Sequence, residues 1–242
     1  MEHNMASWVN QIITIYTEEK DRLQTIKNHL KTKDSNEELL HFDLNNLVKM
    51  PKELKGINCM KTNEKGRLID IYYKDKDAKP FMDWEQMIKG QNQRLNTDDM
   101  IKRLKEIQID EVTIKRYKRE FGSAYWYDWC NENWGTKWNA WATNVKEEDI
   151  ISTSQAPSLF MLIYEIETAW SPPFGCMPNF FKFIEEHDCT AKWVCNPDKY
   201  IQDFTDNEEE DVSGLIVRSY NEAAAVKQEF LAKHKAMMDT FN

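Results

Sequence analysis

Long apolar runs are missing from this chain. No stretch approaches the roughly 20 residues that span a bilayer, and the opening MEHNMASWVN has no basic region leading into an apolar one, so neither a membrane span nor a secretion signal is expected. The expected location is the cytoplasm. Glycine and proline are scarce, 7 each in 242 residues, and nowhere gather into a linker, so residues 1–242 read as a single elaborated domain. Cysteine is sparse as well. The five, at 59, 130, 176, 189 and 195, are odd in number and contain no CxxC pair, which points to reduced thiols rather than a disulfide framework. An excess of basic charge is also lacking. With a formal charge of -9 the chain has no general phosphate-binding surface, so duplex nucleic acid is not an expected partner, and the basic stripe TIKRYKRE (113–120) reads as a solvated helix face. Finally, there is no Gly-rich phosphate loop, HExxH, GxSxG or HxE with PCxxC, so no cofactor and no catalytic residue is assigned.

One cluster, HDCTAKWVC, brings His187, Cys189 and Cys195 close in sequence. As a strand it would separate the two cysteines by about 20 Å, too far for one tetrahedral ion, so no zinc site is expected.

What is present is a strong alternation of strand and helix patterns. SWVNQIITIYT is β-rich, and Thr17 is positioned to cap a helix with Glu18 and Glu19 in its first turn and Leu23, Ile26 and Leu30 on its apolar face. LIDIYY is a short strand in a Lys/Asp-rich excursion. Asn96 or Thr97 can cap a helix carrying Met100, Ile101, Leu104 and Ile107, and a second helical pattern starts near Glu111. LFMLIYEIETAW (159–170) is the strongest strand, expected to be central and to pair with the first strand near 9–16, with Phe160, Leu162, Tyr164, Ile166 and Trp170 on one face. MPNFFKFIEEHD reads as a helix, CTAKWVC and SGLIVRSY as strands, and 221–241 as a last helix. This order fits an α+β, ferredoxin-like plan: a mostly antiparallel sheet with helices packed on one side, elaborated by a helical insertion at roughly 82–134.

Tryptophan is concentrated. WYDWCNENWGTKWNAW (126–141) holds five of the nine. Trp126, Trp129, Cys130 and Asn133 share a helix face, and Gly135 suits the left-handed position that ends it. Each indole can bury on the order of 150 to 250 Å², so Trp126, Trp129 and Trp138 are assigned to the core or its support. Asn133, Trp134, Thr136, Lys137 and Trp141 are the candidate binding residues, because the NWGTKW turn can present polar groups beside exposed indole.

Three separated segments, FDLNNLVKMPKEL, WYDWCNENWGTKWNAW and YEIETAWSPP, together with the opening SWVNQIITIY, resemble in order and spacing the YubB-type (Api-like) family of phage- and plasmid-borne proteins. Leu44 stands where that family tends to have an aromatic and Lys49 where it has proline, and 57–95 matches nothing in it. The resemblance implies a ferredoxin-like domain and a setting on mobile genetic elements, and it brings no catalytic residues.

Two functions follow as expectations. Glu165 and Glu167 lie on one strand face about 7 Å apart, which is compatible with a hydrolase acting on a carbohydrate or nucleotide through paired carboxylates. Two glutamates marking the wet end of a strand is the plainer reading. The favoured expectation is a non-catalytic accessory protein that binds a protein partner, from the host and its defence machinery, with a purely structural accessory as the third.

Overall fold

Period-two alternation opens the chain, and a strand forms there. The computed structural model describes residues 8–33, 39–64, 67–74, 107–150, 159–195 and 215–240. In chain order the elements are β1 (Trp8–Thr17), α1 (Lys20–Leu30), the two-residue strands β2 (Thr32–Lys33) and β3 (Leu39–Leu40), a 3-10 turn at Leu44–Asn46, β4 (Ile57–Glu64) and β5 (Arg67–Lys74). Then come α2 (Glu111–Phe121), α3 (Trp126–Asn133), β6 (Trp141–Ile150), β7 (Leu159–Ala169), α4 (Met177–Glu186), β8 (Thr190–Cys195), β9 (Leu215–Val217) and α5 (Tyr220–Thr240). The fold is α+β, with a mostly antiparallel sheet and several helices. Among the described residues no helix is long and apolar enough to cross a membrane.

By its contacts the chain divides into two units, one of residues 1–49 and 130–242, the other of residues 50–129. The first unit holds a five-stranded sheet in the order β6-β7-β1-β8-β9, every neighbouring pair antiparallel. As the sequence predicts, β7 is central and pairs with β1 along its length, from Trp8 opposite Ala169 to Thr17 opposite Phe160. Register sets the two faces. Ile13 lies opposite both Tyr164 and Trp193, and these residues are fully buried with Ile15, Leu162 and Ile166. The helix α4 covers this face: Phe180 meets Trp193 edge-on at 5.4 Å, and Phe42 joins Tyr164, Phe180 and Trp193 in one aromatic cluster. On the same side α1 buries Leu23, Ile26 and Leu30, and its Lys20 and Lys27 pair with Asp149 and Glu147 of β6.

Two local expectations need correction. The helix expected to start from Thr17 is capped instead by Glu19, because β1 keeps pairing through Thr17; the Thr17 hydroxyl accepts from the Glu19 amide at 3.2 Å. Trp170 does not share a face with Tyr164. β7 ends at Ala169, and Trp170 turns outward at φ 74. The strand β6 shows no apolar period in its sequence, since its NVKEED run is charged on both faces of an edge strand.

The second unit contains a β4–β5 hairpin whose register runs from Ile57 opposite Lys74 to Glu64 opposite Arg67. Ile107–Ile109 runs beside β5, the Ile109 amide donating to the Tyr72 carbonyl at 2.8 Å. The helix α2 starts on Asp110, whose carboxylate accepts from the Thr113 amide at 2.8 Å, and ends on Gly122 in the left-handed region. Trp126 donates its indole N–H to the Asn58 side chain at 3.0 Å, so its expected supporting role holds. Of the expected helical insertion at 82–134, residues 82–106 lie outside the described residues, and with them the helix predicted from Asn96 or Thr97 except its last apolar position, Ile107, which lies in a turn.

Tyr164 carries an internal cost. Its ring is buried edge-on to Phe42, yet its hydroxyl has no hydrogen-bond partner among the described residues, and burial raises its pKa above the ordinary phenol value. An unsatisfied buried donor costs about 1 to 3 kcal/mol. Tyr164→Phe is therefore expected to leave stability unchanged or raise it by about 1 kcal/mol, read as a higher midpoint in a thermal melt; a fall of that size would show that the hydroxyl is satisfied in solution.

Candidate functional site

The turn that follows α3 is set against the loop that follows β7. Trp134 and Gly135 both donate their amides to the Cys130 carbonyl, and Gly135 at φ 83 closes the helix in the left-handed conformation. The Gly175 amide then donates to the Trp134 carbonyl at 3.0 Å. The approach is close enough that a Cβ on Gly175 would fall inside van der Waals distance of the Asn133 carbonyl, and one on Gly135 would lie 2.9 Å from the Phe174 nitrogen. The Ser171 hydroxyl donates to the Gly135 carbonyl, and the Thr136 hydroxyl to the Ala169 carbonyl at 2.7 Å. A third segment joins them. Asn139 donates to the Asp43 carboxylate at 2.7 Å and accepts from the Leu44 amide at 2.8 Å, and the Trp134 indole N–H donates to the Val48 carbonyl at 2.7 Å. FDLNN, NWGTKWNAW and AWSPPFG thus meet in one hydrogen-bonded knot.

This geometry sorts the candidate binding residues. Trp134 is only 1% exposed, so its expected role as a recognition residue is corrected: the left-handed Gly135 folds the indole inward onto Val48. Thr136, also 1% exposed, spends its hydroxyl on the backbone and is corrected likewise. Asn133 is half-buried beneath Gly175. Trp129 is buried, as expected, and Trp138 is half-buried. Trp141 is 54% exposed and Lys137 is half-buried, so neither is sealed in the core.

Two further tryptophans, not among the candidate binding residues, are exposed as well. Trp8 is 41% and Trp170 45% exposed. Trp8 lies opposite Ala169 and Trp141 opposite Glu167, so both stand on the sheet face away from the aromatic core. Lys137 links Trp138 and Trp170: its ammonium sits 4.5 Å from the Trp138 ring and 5.8 Å from that of Trp170, and Trp138 is 5.9 Å from Trp8. Trp170 has a backbone that a bulky side chain rarely adopts. It is held there from both sides, since Ala169 receives the Thr136 hydroxyl while the Thr168 hydroxyl donates to the Ser171 carbonyl at 2.8 Å. Behind Thr168 the chain of bonds continues through Gln11, which donates to Thr168 at 2.6 Å and accepts from the Trp193 indole at 3.0 Å.

The two glutamates differ. The Glu165 carboxylate accepts from Lys146 and Asn144, each at 3.1 Å, whereas Glu167 sits in the row Trp141–Glu167–Asn10. Among the described residues no three His, Cys, Asp or Glu side chains gather as a metal-binding group. Burial pushes the Cys130 thiol up to about 12, and Cys176, fully buried, is raised well above the ordinary value by burial, with Lys227 opposing.

The chain matches no protein-family profile, no curated protein and no solved structure.

Two outcomes are expected. Trp134→Ala, which empties a buried indole site, should cost about 3 to 5 kcal/mol in a denaturant melt, and Gly175→Ala should also destabilise by forcing the two loops apart, while Trp141→Ala should stay within about 0.5 kcal/mol of the parent. Because Cys130 and Cys176 ionise only well above the unfolded value, their thiols should resist alkylation in the native protein. Stability should be unaffected by these groups below the ordinary thiol pKa and should fall as pH rises above it, where the unfolded state gives up the protons first. Rapid labelling at neutral pH without unfolding would contradict this.

Proposed function

We propose that this protein is a non-catalytic accessory protein of a mobile genetic element, built on a ferredoxin-like plan, that acts in the host cytoplasm by binding a protein partner through the exposed indoles of Trp8, Trp141 and Trp170. The observation that carries the binding reading is Trp170: a solvent-exposed indole held at φ 74 by hydrogen bonds on both sides. Strained backbone of this kind persists only where its surroundings over-determine it, and it concentrates at functional sites. Large exposed aromatics grouped around a cation are also what protein interfaces use as anchors.

The ferredoxin-like plan is supported by strand order. Taking β1, α1, β6, β7, α4 and β8 as the repeating β-α-β-β-α-β series, the sheet reads second, third, first, fourth, each pair antiparallel. The setting on a mobile element rests on the YubB-type resemblance, whose segments are the same ones that meet in the hydrogen-bonded knot. The hydrolase reading through Glu165 and Glu167 is weaker, because Glu165 is occupied by Lys146 and Asn144 on an open sheet face.

The test is capture of a partner from host lysate on the immobilised chain, compared with Trp141→Ala and Trp170→Ala. Both variants are expected to keep near-native melting behaviour and to lose a stoichiometric partner by about tenfold or more. Capture that survives both substitutions unchanged would remove the indole surface from the proposal.

A further inference from the structure

The row Trp141–Glu167–Asn10 crosses three neighbouring strands on the open face, Glu167 of β7 lying directly opposite Trp141 of β6 on one side and Asn10 of β1 on the other. Among the described residues the Glu167 carboxylate makes neither ion pair nor side-chain hydrogen bond, in contrast to Glu165 two positions earlier, which Lys146 and Asn144 both contact. Trp141 exposes more than half its surface beside that carboxylate. We propose that this row receives the guanidinium of an arginine side chain presented by the protein partner; the proposal rests on the protein-binding reading above and adds the chemistry of the contact.

Four observations favour that occupant. A carboxylate with no countercharge next to an open indole face offers both halves of what a guanidinium uses, a bidentate acceptor and a surface to stack on, and the planar fork serves both at once where a lysine ammonium serves one. Asn10, on the other flank, supplies a side-chain carbonyl for a remaining N–H. The neighbouring indoles already hold a cation of the chain's own, Lys137 over Trp138 and Trp170, so this surface is one on which cation–π contact forms. A formal charge of -9 makes a basic partner the complementary one at longer range. A neutral sugar would stack on Trp141 equally well but would leave the Glu167 charge uncompensated.

The intact chain is titrated to millimolar concentration with acetyl-Gly-Arg-Gly-amide, with the same peptide carrying citrulline in place of arginine, and with a neutral oligosaccharide. Indole N–H resonances are followed, that of Trp141 being assigned from Trp141→Phe. The expected result is a saturable shift of the Trp141 resonance by the arginine peptide that weakens with salt, at least about tenfold weaker binding of the citrulline peptide, and a loss of similar size in Glu167→Gln at unchanged melting temperature. Equal response to citrulline, insensitivity to Glu167→Gln, absence of a shift with the arginine peptide, or response to the oligosaccharide alone would each overturn it. Its failure is separable from failure of the protein-binding reading. Partner capture that depends on Trp141 and Trp170 but is untouched by Glu167→Gln leaves the partner and removes the arginine; arginine binding at the row with capture indifferent to the indoles does the reverse.

Discussion

The contact on which the first unit depends is a backbone approach without side chains, Gly175 against the Asn133 and Trp134 peptide. Any Cβ at position 175 would separate the loop after β7 from the turn after α3, and the bonds stacked around that contact would go with it. Gly175 hands its amide to Trp134, Ser171 its hydroxyl to Gly135, and Thr136 its hydroxyl to Ala169. Each of these is a buried polar group whose desolvation is offset only while the two segments stay in register. The close approach also settles which way the indoles point. With Gly135 in the left-handed region, Trp134 folds under the turn to reach Val48, and the chain beyond it emerges with Lys137 and Trp138 half-buried.

The same polar chain connects the two sides of the sheet. On the covered side Trp193 hands its N–H to Gln11, and Gln11 to Thr168, within a core otherwise filled by Phe42, Tyr164 and Phe180. From Thr168 the bonds pass to Ser171 and so bracket Trp170, which stands on the surface. A fully satisfied buried network is rigid because each member loses a partner if any other moves. Trp170 is thus linked to the hydrophobic core through two polar side chains, Gln11 and Thr168.

Legibility in the sequence followed burial. β1 and β7 alternate cleanly because one face of each is packed and the other is not, and their pairing, the helices α1 and α4 and the strand β8 all followed from that pattern. β6 escaped because an edge strand can satisfy both faces with charge: Glu147 and Asp149 reach lysines of α1, and Lys146 reaches Glu165, so no apolar period is left to read. The tryptophans were misallocated for a related reason. Composition says that an indole next to asparagine, glycine and lysine belongs to a polar turn, but Trp134 is held by Val48 and Gly175, residues far away in the chain. Trp170 looked like the continuation of a strand face since alternation has no means of marking where a strand stops pairing and a positive φ begins.

That misreading bears on function. Were position 170 needed only to turn the chain between Ala169 and Ser171, glycine would adopt φ 74 freely, whereas an L-residue there gives up about 1 to 2 kcal/mol. Tryptophan here leaves nearly half of its surface in solvent, and among the described residues its ring contact is the Lys137 ammonium at 5.8 Å. The bonds from Thr136 and Thr168 hold the chain in this conformation. A local rule broken at the surface and compensated from the core is the pattern expected where a side chain serves something outside the fold. With Trp8 and Trp141 on the same open face and Lys137 beside Trp138 and Trp170, the arrangement holds several indoles on one side of the sheet.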